Sequence, residues 1–339
     1  MLFSKNYEKF GGKYYRDNPR IVIIGCGAVT DFYYLPKLVK KKKIYDRLIL
    51  VDSNSDRLNF ISKKYDLNKI YGNYKEVIGL VDGAIVALPP ALHFPITKQL
   101  IKANINVLCE KPLSETFSQA KILVNESKKN KVNLLVNNTR RLYPSSIAVK
   151  KMLENKQIGD VTSIELYEGG EFRWPTVSGF YFTGKNGVLL DRGIHGIDLI
   201  CWWLGKPKII SYTDDSFGGA EAMADIKFKI GDIDGSIKLN LLYSCPNNFI
   251  IKGTRGKIIG DIHGFNKLIV IDNQGLTRRI DFPCRQRNYA DFIDLLLDNF
   301  IEIIQGKGIP LIPVETVVES IGVIEECYRK RKRYNMDWI

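Results

Sequence analysis

Short apolar runs alternate with helix-length amphipathic stretches over the first 140 residues of the chain. The runs lie at residues 21–24, 48–51, 84–88, 106–109 and 132–136. Amphipathic stretches such as 96–104 and 118–130 separate several of them. Continuous apolar strands separated by helices are typical of a parallel sheet that is covered on both faces. We therefore predict an α/β domain over 20–140, preceded by a polar and aromatic N-terminal arm at 1–19.

Beyond about residue 155, the apolar positions follow a period of two. The alternating segments lie at 163–167, 224–230 and 237–241, with further short strands expected near residues 258 and 268. Such alternation predicts strands with one buried face, which is typical of an antiparallel sheet. Helices are predicted at 191–204, 288–304 and 314–330. The second domain is therefore expected to be α+β and to span 141–339.

The composition is that of a globular protein of about two domains. The chain has 339 residues, of which 45% are hydrophobic and 26% are charged, so neither disorder nor a collagen-like or coiled-coil array is expected. No run reaches the ~18 consecutive apolar residues of a membrane helix. The first residues contain no apolar segment of a secretory signal. These features predict a cytoplasmic protein that does not associate with membranes.

The charge balance is basic, with 50 Lys and Arg against 37 Asp and Glu and a net charge of +13. Two basic runs, 40–43 and 329–333, follow apolar helical stretches, where cations suit the helix C-terminus. We interpret both as solvated faces, with attraction of a phosphate-bearing substrate as the alternative. No nucleic-acid-binding motif accompanies them, so no nucleic-acid partner is expected.

The six cysteines lie at positions 26, 109, 201, 245, 284 and 327. They form no CxxC pair and no zinc-like spacing, so no metal site is predicted. Cys26 and Cys109 lie in apolar, strand-like context. They are expected to be buried, reduced thiols of a cytoplasmic protein.

A glycine-containing loop follows the first apolar run and precedes a helical stretch. The loop consists of Gly25, Cys26, Gly27, Ala28, Val29 and Thr30. The first glycine permits a tight turn, the second lets a pyrophosphate approach the backbone, and the helix N-terminus supplies free N–H groups. Thr30 occupies the third glycine position, so the fingerprint is incomplete. Its strand–loop–helix context nevertheless predicts a dinucleotide site.

Asp52 directly follows the second apolar run and lies about 20 residues after this loop. A carboxylate at that point can accept hydrogen bonds from both ribose hydroxyls and repels a 2′-phosphate, which favours NAD over NADP. A turn or helix-cap role is the alternative for Asp52. Arg57 lies close enough in sequence to receive a phosphate, so NADP stays open.

Lys111 and a later helical segment carry candidate acid–base chemistry. Lys111 follows the fourth apolar run, and ligands of open parallel sheets bind beyond the carboxyl ends of the strands. Asp191, His195 and Asp198 are spaced i, i+4 and i+7, which predicts one shared helix face. A histidine flanked by carboxylates suits a general base. The alternatives are an exposed loop lysine and a core histidine satisfied by a neighbour.

These features occur in an order that resembles the Gfo/Idh/MocA oxidoreductases, which include glucose–fructose oxidoreductase and inositol 2-dehydrogenase. The resemblance spans 20–328 and is carried by residues 25–30, 84–93, 107–113, 141–144, 187–205 and 253–256. It implies an N-terminal Rossmann dinucleotide-binding domain and a C-terminal α+β domain with a large, mostly antiparallel sheet. It also implies a nicotinamide cofactor and a homodimer or homotetramer formed through that sheet.

The resemblance also implies roles for individual residues. The catalytic lysine of the family falls on Lys111, and the family's aspartate and histidine fall on Asp191 and His195. Four further residues would lie along the cofactor: Leu88, Pro89, His93 and, at the nicotinamide ribose, Glu110.

The expected substrate is a sugar-like polyol, oxidised or reduced at a carbinol carbon. Aromatic faces can pack on sugars or bases, and an arginine can hold a phosphate or a carboxylate. The candidate substrate residues are Arg173, Trp174 and Tyr181. With the positive net charge they favour a nucleotide-sugar, while a free sugar, inositol or a sugar acid stays open, as does a packed loop without a substrate role.

Two other functions stay open. An NAD-dependent glycosidase would use the same fold and a transient hydride transfer to break a glycosidic bond. A non-catalytic regulatory protein would bind NAD and a partner protein. The combination of Lys111, Asp191 and His195 favours a dehydrogenase, because regulation needs no acid–base groups.

Overall fold

The computed structural model describes residues 7–10, 13–173, 187–216 and 219–335. The chain divides into two compact units. The first consists of Met1–Asn137 and Asn288–Glu315, and the second of Asn138–Arg287 and Thr316–Ile339.

The first unit contains a six-stranded parallel sheet, as the apolar runs predict. Its strands are β3 (Ile21–Ile24), β4 (Ile49–Val51), β5 (Ile70–Tyr71), β6 (Gly83–Val86), β7 (Asn106–Cys109) and β8 (Leu134–Val136). They lie in the order β5-β4-β3-β6-β7-β8. The strand order reverses between β3 and β6, which is the point where doubly wound sheets bind dinucleotides. The N-terminal arm contributes a separate antiparallel pair, β1 (Tyr7–Phe10) and β2 (Lys13–Arg16).

Helices connect these parallel strands. The helices between strands are α1 (Leu35–Leu38), α2 (Lys42–Tyr45), α3 (Ser55–Tyr65), α4 (Pro90–Lys102) and α5 (Phe117–Asn130). A π-helical turn, Thr30–Tyr34, leads into α1, and a 3₁₀ turn lies at Tyr74–Val77. Side-chain caps begin two of the longer helices: Asn54 accepts the Arg57 N–H and Thr116 accepts the Gln119 N–H. Such caps satisfy amides that have no partner within the helix.

The helix predicted at 288–304 packs in the first unit, whereas the predicted second domain included it. Its bounds are Tyr289–Ile304, which makes it α8 in the order of the described α-helices. A Cβ added to Gly83 of β6 would lie 2.4 Å from the Ile304 side chain. The ammonium of Lys37 pairs with Asp291 at 2.6 Å. The physical reason is packing: the strongly apolar face of this helix completes the cover of the parallel sheet.

The same helix contacts one lysine of the basic run 40–43, whereas Lys40, Lys42 and Lys43 are exposed, as the solvated-face interpretation predicts. Lys41 of the run 40–43 is 22% exposed, and its ammonium contacts Asp294 at 2.9 Å and Asp298 at 2.5 Å. These ion pairs join the basic run to α8. Lys41 is therefore a structural contact within the first unit, not a solvated cation.

The second unit contains a nine-stranded sheet, mostly antiparallel as predicted. Its strands are β9 (Val161–Gly169), β10 (Lys208–Asp214), β11 (Met223–Ile230), β12 (Ile233–Asn240), β13 (Asn248–Gly253), β14 (Gly256–Asp261), β15 (Lys267–Asp272), β16 (Thr277–Asp281) and β17 (Arg331–Arg333). They lie in the order β16-β15-β14-β13-β9-β12-β11-β10-β17. The β9–β12 and β10–β17 pairs are parallel, and the other pairs are antiparallel.

Helices cover the inner face of this sheet. They are α6 (Pro144–Glu154), α7 (Ile194–Leu204) and α9 (Val318–Arg329), with 3₁₀ turns at Thr139–Leu142 and Val314–Thr316. The core side chains include Ile164 and Leu166 of β9, and Trp203 of α7, whose ring lies 4.9 Å from that of Phe249. The period-two alternation thus places its apolar positions beneath the helices.

None of the described helices is long and apolar enough to cross a lipid bilayer.

Candidate active site

Gly25 makes the turn that leaves β3. Its φ is +102°, and an added Cβ would lie 2.2 Å from the carbonyl oxygen of Ala87. Its N–H donates to the Val51 carbonyl at 2.8 Å. Both the left-handed backbone and the close approach of the next strand therefore require glycine at this position.

Gly27 has a different reason to be glycine. Among the described residues, no heavy atom outside its neighbours lies within 4 Å of an added Cβ, so packing does not demand glycine here. The loop passes directly into the helical segment, with the Asp31 N–H donating to the Gly27 carbonyl at 3.1 Å. Free space beside the amides of a helix N-terminus suits the close approach of a pyrophosphate. The loop therefore fits a dinucleotide.

Thr30 stabilises the loop from within. It is fully buried, and its hydroxyl donates to the Gly25 carbonyl at 2.5 Å. In the full fingerprint, a third glycine allows the helix to pack closely on the strand. Thr30 at this position instead forms a hydrogen bond across the turn. The incomplete glycine fingerprint is compatible with an ordered loop.

Asp52 ties the end of β4 to this loop. One carboxylate oxygen accepts the Cys26 N–H at 2.7 Å and the other accepts the Asn54 N–H at 2.8 Å. Each oxygen of a carboxylate has a second lone pair, so the half-buried Asp52 can still accept ribose hydroxyls. The turn role and the predicted cofactor role are therefore compatible at the same residue.

Arg57 is held by the same loop. Its Nε donates to the Cys26 carbonyl at 2.6 Å, and its Nη2 contacts Asp31 at 3.0 Å. Burial opposes ionisation of Asp31, but hydrogen bonds from Lys64, Tyr65 and Arg57 hold its pKa below the usual value. A 2′-phosphate bound to Arg57 would share its N–H groups with the Cys26 carbonyl and the Asp31 carboxylate.

Cys26 and Cys109 are free, buried thiols, as predicted. Burial, with the nearby Asp52 charge, raises the pKa of Cys26 to about 12. Burial likewise raises the pKa of Cys109. Both thiols are thus protonated at neutral pH and unreactive.

His93 lies behind the loop that follows β6. Its side chain is fully buried, with Nδ1 2.6 Å from the Pro112 carbonyl and Nε2 2.7 Å from the Leu88 carbonyl. Because the ring has no exposed surface, only the backbone of His93 is left to line the cofactor, and that role stays a prediction. The ring instead joins the loop to the segment after Lys111. Leu88 and Pro89 are half-buried and stay candidates for lining the cofactor.

Glu110 and Lys111 follow β7 at the same sheet edge. One Glu110 oxygen accepts the Tyr34 hydroxyl at 2.5 Å and the Asn137 amide at 2.7 Å. Burial, together with the Glu110 charge, raises the pKa of Tyr34 well above its usual value. The Glu110 carboxylate thus belongs to a buried network, and the half-buried Lys111 is the next residue along the chain.

Asp191 and His195 lie in the second unit on one continuous helical segment. A π-helical turn, Leu189–Gly193, carries Asp191 and leads into α7, which carries His195. Both residues are half-buried, while Ile194 and Ile197 between and beyond them are buried. The segment thus holds two acid–base groups on a helix that is otherwise packed against the sheet.

Asp198 does not serve as the second flanking carboxylate predicted for His195. It is buried, and its two oxygens accept Nε and Nη2 of Arg141 at 2.7 and 2.6 Å. This bidentate pair is the strong geometry for a carboxylate and a guanidinium. Asp198 therefore anchors α7 to Arg141, and Asp191 is the carboxylate left to act with His195.

Of the predicted substrate residues, the structure describes Arg173. Arg173 is 82% exposed and pairs with Glu171, its Nε lying 3.0 Å from the carboxylate. Trp174 and Tyr181 lie outside the described residues.

Family models match both units of the chain. The NAD-binding Rossmann-fold domain of the Gfo/Idh/MocA oxidoreductase family matches 19–138. The C-terminal alpha/beta domain of the same family matches 150–336. The chain belongs to the Gfo/Idh/MocA oxidoreductase family. It is an oxidoreductase with an NAD-binding Rossmann domain, as predicted.

The proteins similar to this Gfo/Idh/MocA protein include a named inositol dehydrogenase and two enzymes solved with bound nucleotides. It is 26% identical over 274 residues to myo-inositol 2-dehydrogenase of Thermotoga maritima, covering 76% of this chain and 79% of the relative. Its fold resembles a 3-ketoreductase of Actinomadura kijaniata, solved with NADP and TDP-benzene, with a TM-score of 0.78 and 17% identity over 94% of this chain and 99% of that one. It also resembles the WlbA dehydrogenase of Bordetella pertussis, solved with NADH and UDP-GlcNAcA, with a TM-score of 0.73 and 17% identity over 92% and 95%.

The structure of this family member contains a cluster around a buried carboxylate that sequence reasoning missed. Glu168, at the end of β9, is fully buried and accepts Nη1 and Nη2 of Arg140 at 2.9 and 2.6 Å. His263 Nε2 lies 2.9 Å from the same carboxylate. Burial alone would raise the pKa of Glu168, but Arg140 and His263 hold it well below its usual value. No local pattern could have found this cluster, since its members come from three separate segments.

Proposed function

We propose that the protein transfers a hydride reversibly between NAD(P) and a carbinol carbon of a sugar or nucleotide-sugar. The observation that carries this proposal is the shared sheet edge of the first unit. The glycine loop after β3, the Leu88 loop after β6 and Lys111 after β7 all follow carboxyl ends of adjacent parallel strands. Ligands of such sheets bind at this edge, so a lysine there can reach the reacting end of a cofactor.

The nicotinamide group, when bound, supplies the hydride acceptor or donor. His195 takes the proton from the substrate hydroxyl during oxidation and returns it during reduction. Asp191 orients the imidazole and stabilises its cation. Lys111 donates a hydrogen bond to the reacting oxygen. These roles use positioned acid–base chemistry, which contributes roughly 10²–10⁴-fold to a rate.

Two observations support a carbohydrate substrate. One relative is named myo-inositol 2-dehydrogenase, and one structural neighbour was solved with UDP-GlcNAcA. The net charge of +13 favours an anionic substrate. Arg173, Trp174 and Tyr181 stay candidates for contacts with the substrate. A nucleotide-sugar combines a sugar and a base, on which aromatic side chains can pack, with phosphates that an arginine can hold.

A ligand screen with a redox readout tests this function. Thermal shifts would be measured for inositols, free sugars, sugar acids and nucleotide-sugars with NAD or NADP present, since a selective ligand stabilises the folded state by mass action. Each stabilising ligand would then be assayed for NAD(P)H formation or consumption. We expect net turnover with one sugar class. Release of free sugar without net NAD(P)H would establish the glycosidase instead, and binding without any turnover would contradict the proposal.

We further propose that the protein assembles as a homodimer or homotetramer through the outer face of the nine-stranded sheet. On that face, Ile250, Ile259 and Ile269 are directly opposite one another on β13, β14 and β15. Each of the three is partly exposed. Light scattering coupled to size-exclusion chromatography checks this assembly, and Ile259→Lys is expected to weaken it.

A further inference from the structure

Glu221, two residues before β11, holds the start of the segment that carries Asp191 and His195. One oxygen of its fully buried carboxylate accepts the N–H groups of Gly187 and Leu189, each at 3.1 Å. Its own backbone carbonyl accepts the Val188 N–H at 2.8 Å. Three successive amides are therefore bonded to a single residue.

These bonds satisfy the end of a helix. The first amides of a helix have no carbonyl partner within it, and a carboxylate there also interacts favourably with the helix dipole. Gly187 is required for this contact, because an added Cβ would lie 1.9 Å from the Glu221 carbonyl oxygen. The sequence supplies both the acceptor and the small residue that lets it approach.

Close packing against the sheet leaves the helical segment free to shift mainly along its own axis. A Cβ added to Gly193 would lie 2.7 Å from Leu239 of β12, and one added to Gly196 would lie 2.9 Å from Leu166 of β9. These two glycines let the helix lie close against the sheet, which fixes its distance from the strands. The Glu221 bonds act at its N-terminal end and fix its position along its own axis.

The C-terminal strand supplies the counter-charge. Arg331 of β17 donates Nη2 to the second Glu221 oxygen at 2.9 Å, and the Tyr328 hydroxyl donates to the first at 2.9 Å. The Arg331 guanidinium also pairs with the buried Asp214. A buried carboxylate needs such partners to offset its desolvation. Arg331 therefore has a structural contact, whereas Arg329, Lys332 and Arg333 of the run 329–333 are exposed, as the solvated-face interpretation predicts.

We infer that Glu221, neutralised by Arg331, is a positioning residue that sets the place of Asp191 and His195 through the amides of Gly187 and Leu189. This inference rests on the proposed function for the roles of Asp191 and His195. It adds that the rate of the chemical step depends on a charge pair that contacts neither group directly.

The substitution Glu221→Gln tests this inference. The amide keeps the size of the side chain and one acceptor oxygen, but it removes the charge that Arg331 neutralises. Arg331→Met removes the same pair from the other side and serves as a second variant if Glu221→Gln does not fold. Lys332→Met, at an exposed neighbour in β17, is the matched control.

Imidazole NMR reads the position of His195 without a substrate. The chain has three histidines, so ¹³C-histidine labelling yields three ring signals, and His195→Gln assigns one of them. We expect Glu221→Gln and Arg331→Met to shift the His195 signal and its titration, to leave the His93 signal unchanged, and to speed hydrogen exchange at the Gly187 and Leu189 amides. Lys332→Met should change none of these.

Kinetics provide the second readout. A misplacement of about 1 Å costs up to about 100-fold in rate, so we expect kcat to fall about 10- to 100-fold with KM for NAD(P) changed less than about twofold. A fall in melting temperature with an unchanged His195 signal and unchanged kcat would overturn the inference. If His195→Gln itself retained full turnover, the proposed function would fail, while the NMR and exchange results would still decide the role of Glu221.

Discussion

The Nδ1 atom of His93 lies 2.6 Å from the carbonyl oxygen of Pro112, the residue that follows Lys111. The other ring nitrogen lies 2.7 Å from the Leu88 carbonyl. One buried imidazole thus joins the loop after β6 to the segment after β7. Two of the chain segments proposed to meet the cofactor are therefore coupled through a side chain that does not contact it.

Replacing His93 should loosen both segments. His93→Phe fills the same space but removes the N–H that the neutral imidazole donates to one of these two carbonyls, and a buried carbonyl left unsatisfied costs about 1–3 kcal/mol. We expect lower stability in urea denaturation and weaker NAD(P) binding in fluorescence titration. Leu92→Ala, at a 43% exposed position of the same helix, should change neither quantity. Unaltered NAD(P) affinity in His93→Phe would show that the two segments are not coupled.

The two glycines of the dinucleotide loop should respond differently to alanine. Gly25→Ala forces a Cβ into the Ala87 carbonyl and a left-handed φ, so the loop must be displaced and stability should fall by several kcal/mol, since backbone strain alone costs about 1–3 kcal/mol. Gly27→Ala meets no described atom within 4 Å, so its melting temperature should stay near that of the parent. Its NAD(P) affinity should fall at least about tenfold, because the methyl group occupies the space left for the pyrophosphate.

Calorimetric titration with NAD and thermal denaturation measure the two effects separately. If Gly27→Ala bound NAD(P) as well as the parent protein, the loop would not be the pyrophosphate site.

The catalytic assignment predicts that activity and binding separate. Lys111→Ala and His195→Gln should each lower kcat by roughly 10²–10⁴-fold, the range for a lost acid–base group. Both variants should still bind NAD(P) and keep the parent's far-UV circular dichroism. Lys102→Ala, at an exposed lysine of α4, is the control and should retain full activity. Near-native turnover by either variant on the true substrate would refute the assignment.

Acid sensitivity should depend on Glu168. The pKa of this buried carboxyl is held well below its usual value by Arg140 and His263, so the folded state releases its proton more readily than the unfolded chain does. Its ionisation therefore stabilises the fold above the unfolded pKa of about 4.3, and this contribution is lost as the pH falls towards the lower folded pKa.

Glu168→Gln removes this pH dependence. At pH 7 it removes the carboxylate charge that pairs with the buried Arg140, which should destabilise the fold by about 3–5 kcal/mol. Urea denaturation between pH 7 and pH 3 should show a difference from the parent that shrinks as the pH falls. A difference that stayed constant over this range would mean that Glu168 is not the titrating group.

The local chemistry of the sequence determined most of the elements and part of the site. Runs of Val, Ile and Leu beside helical periods specified the parallel strands, and period-two alternation specified the mostly antiparallel sheet. The glycine loop after β3, the lysine after β7 and the Asp191–His195 spacing were also readable, because each depends on residues close together in one segment.

Only the tertiary structure decided which distant side chains meet. Helix α8 returns to the first sheet, Asp198 bonds to Arg141, and Glu221 reaches across to Gly187. An amphipathic helix shows that it has a buried face, but its pattern does not say which sheet will cover that face. Likewise, a carboxylate carries the same charge whether it faces a substrate or a buried guanidinium, and its neighbours exist only after the chain has packed.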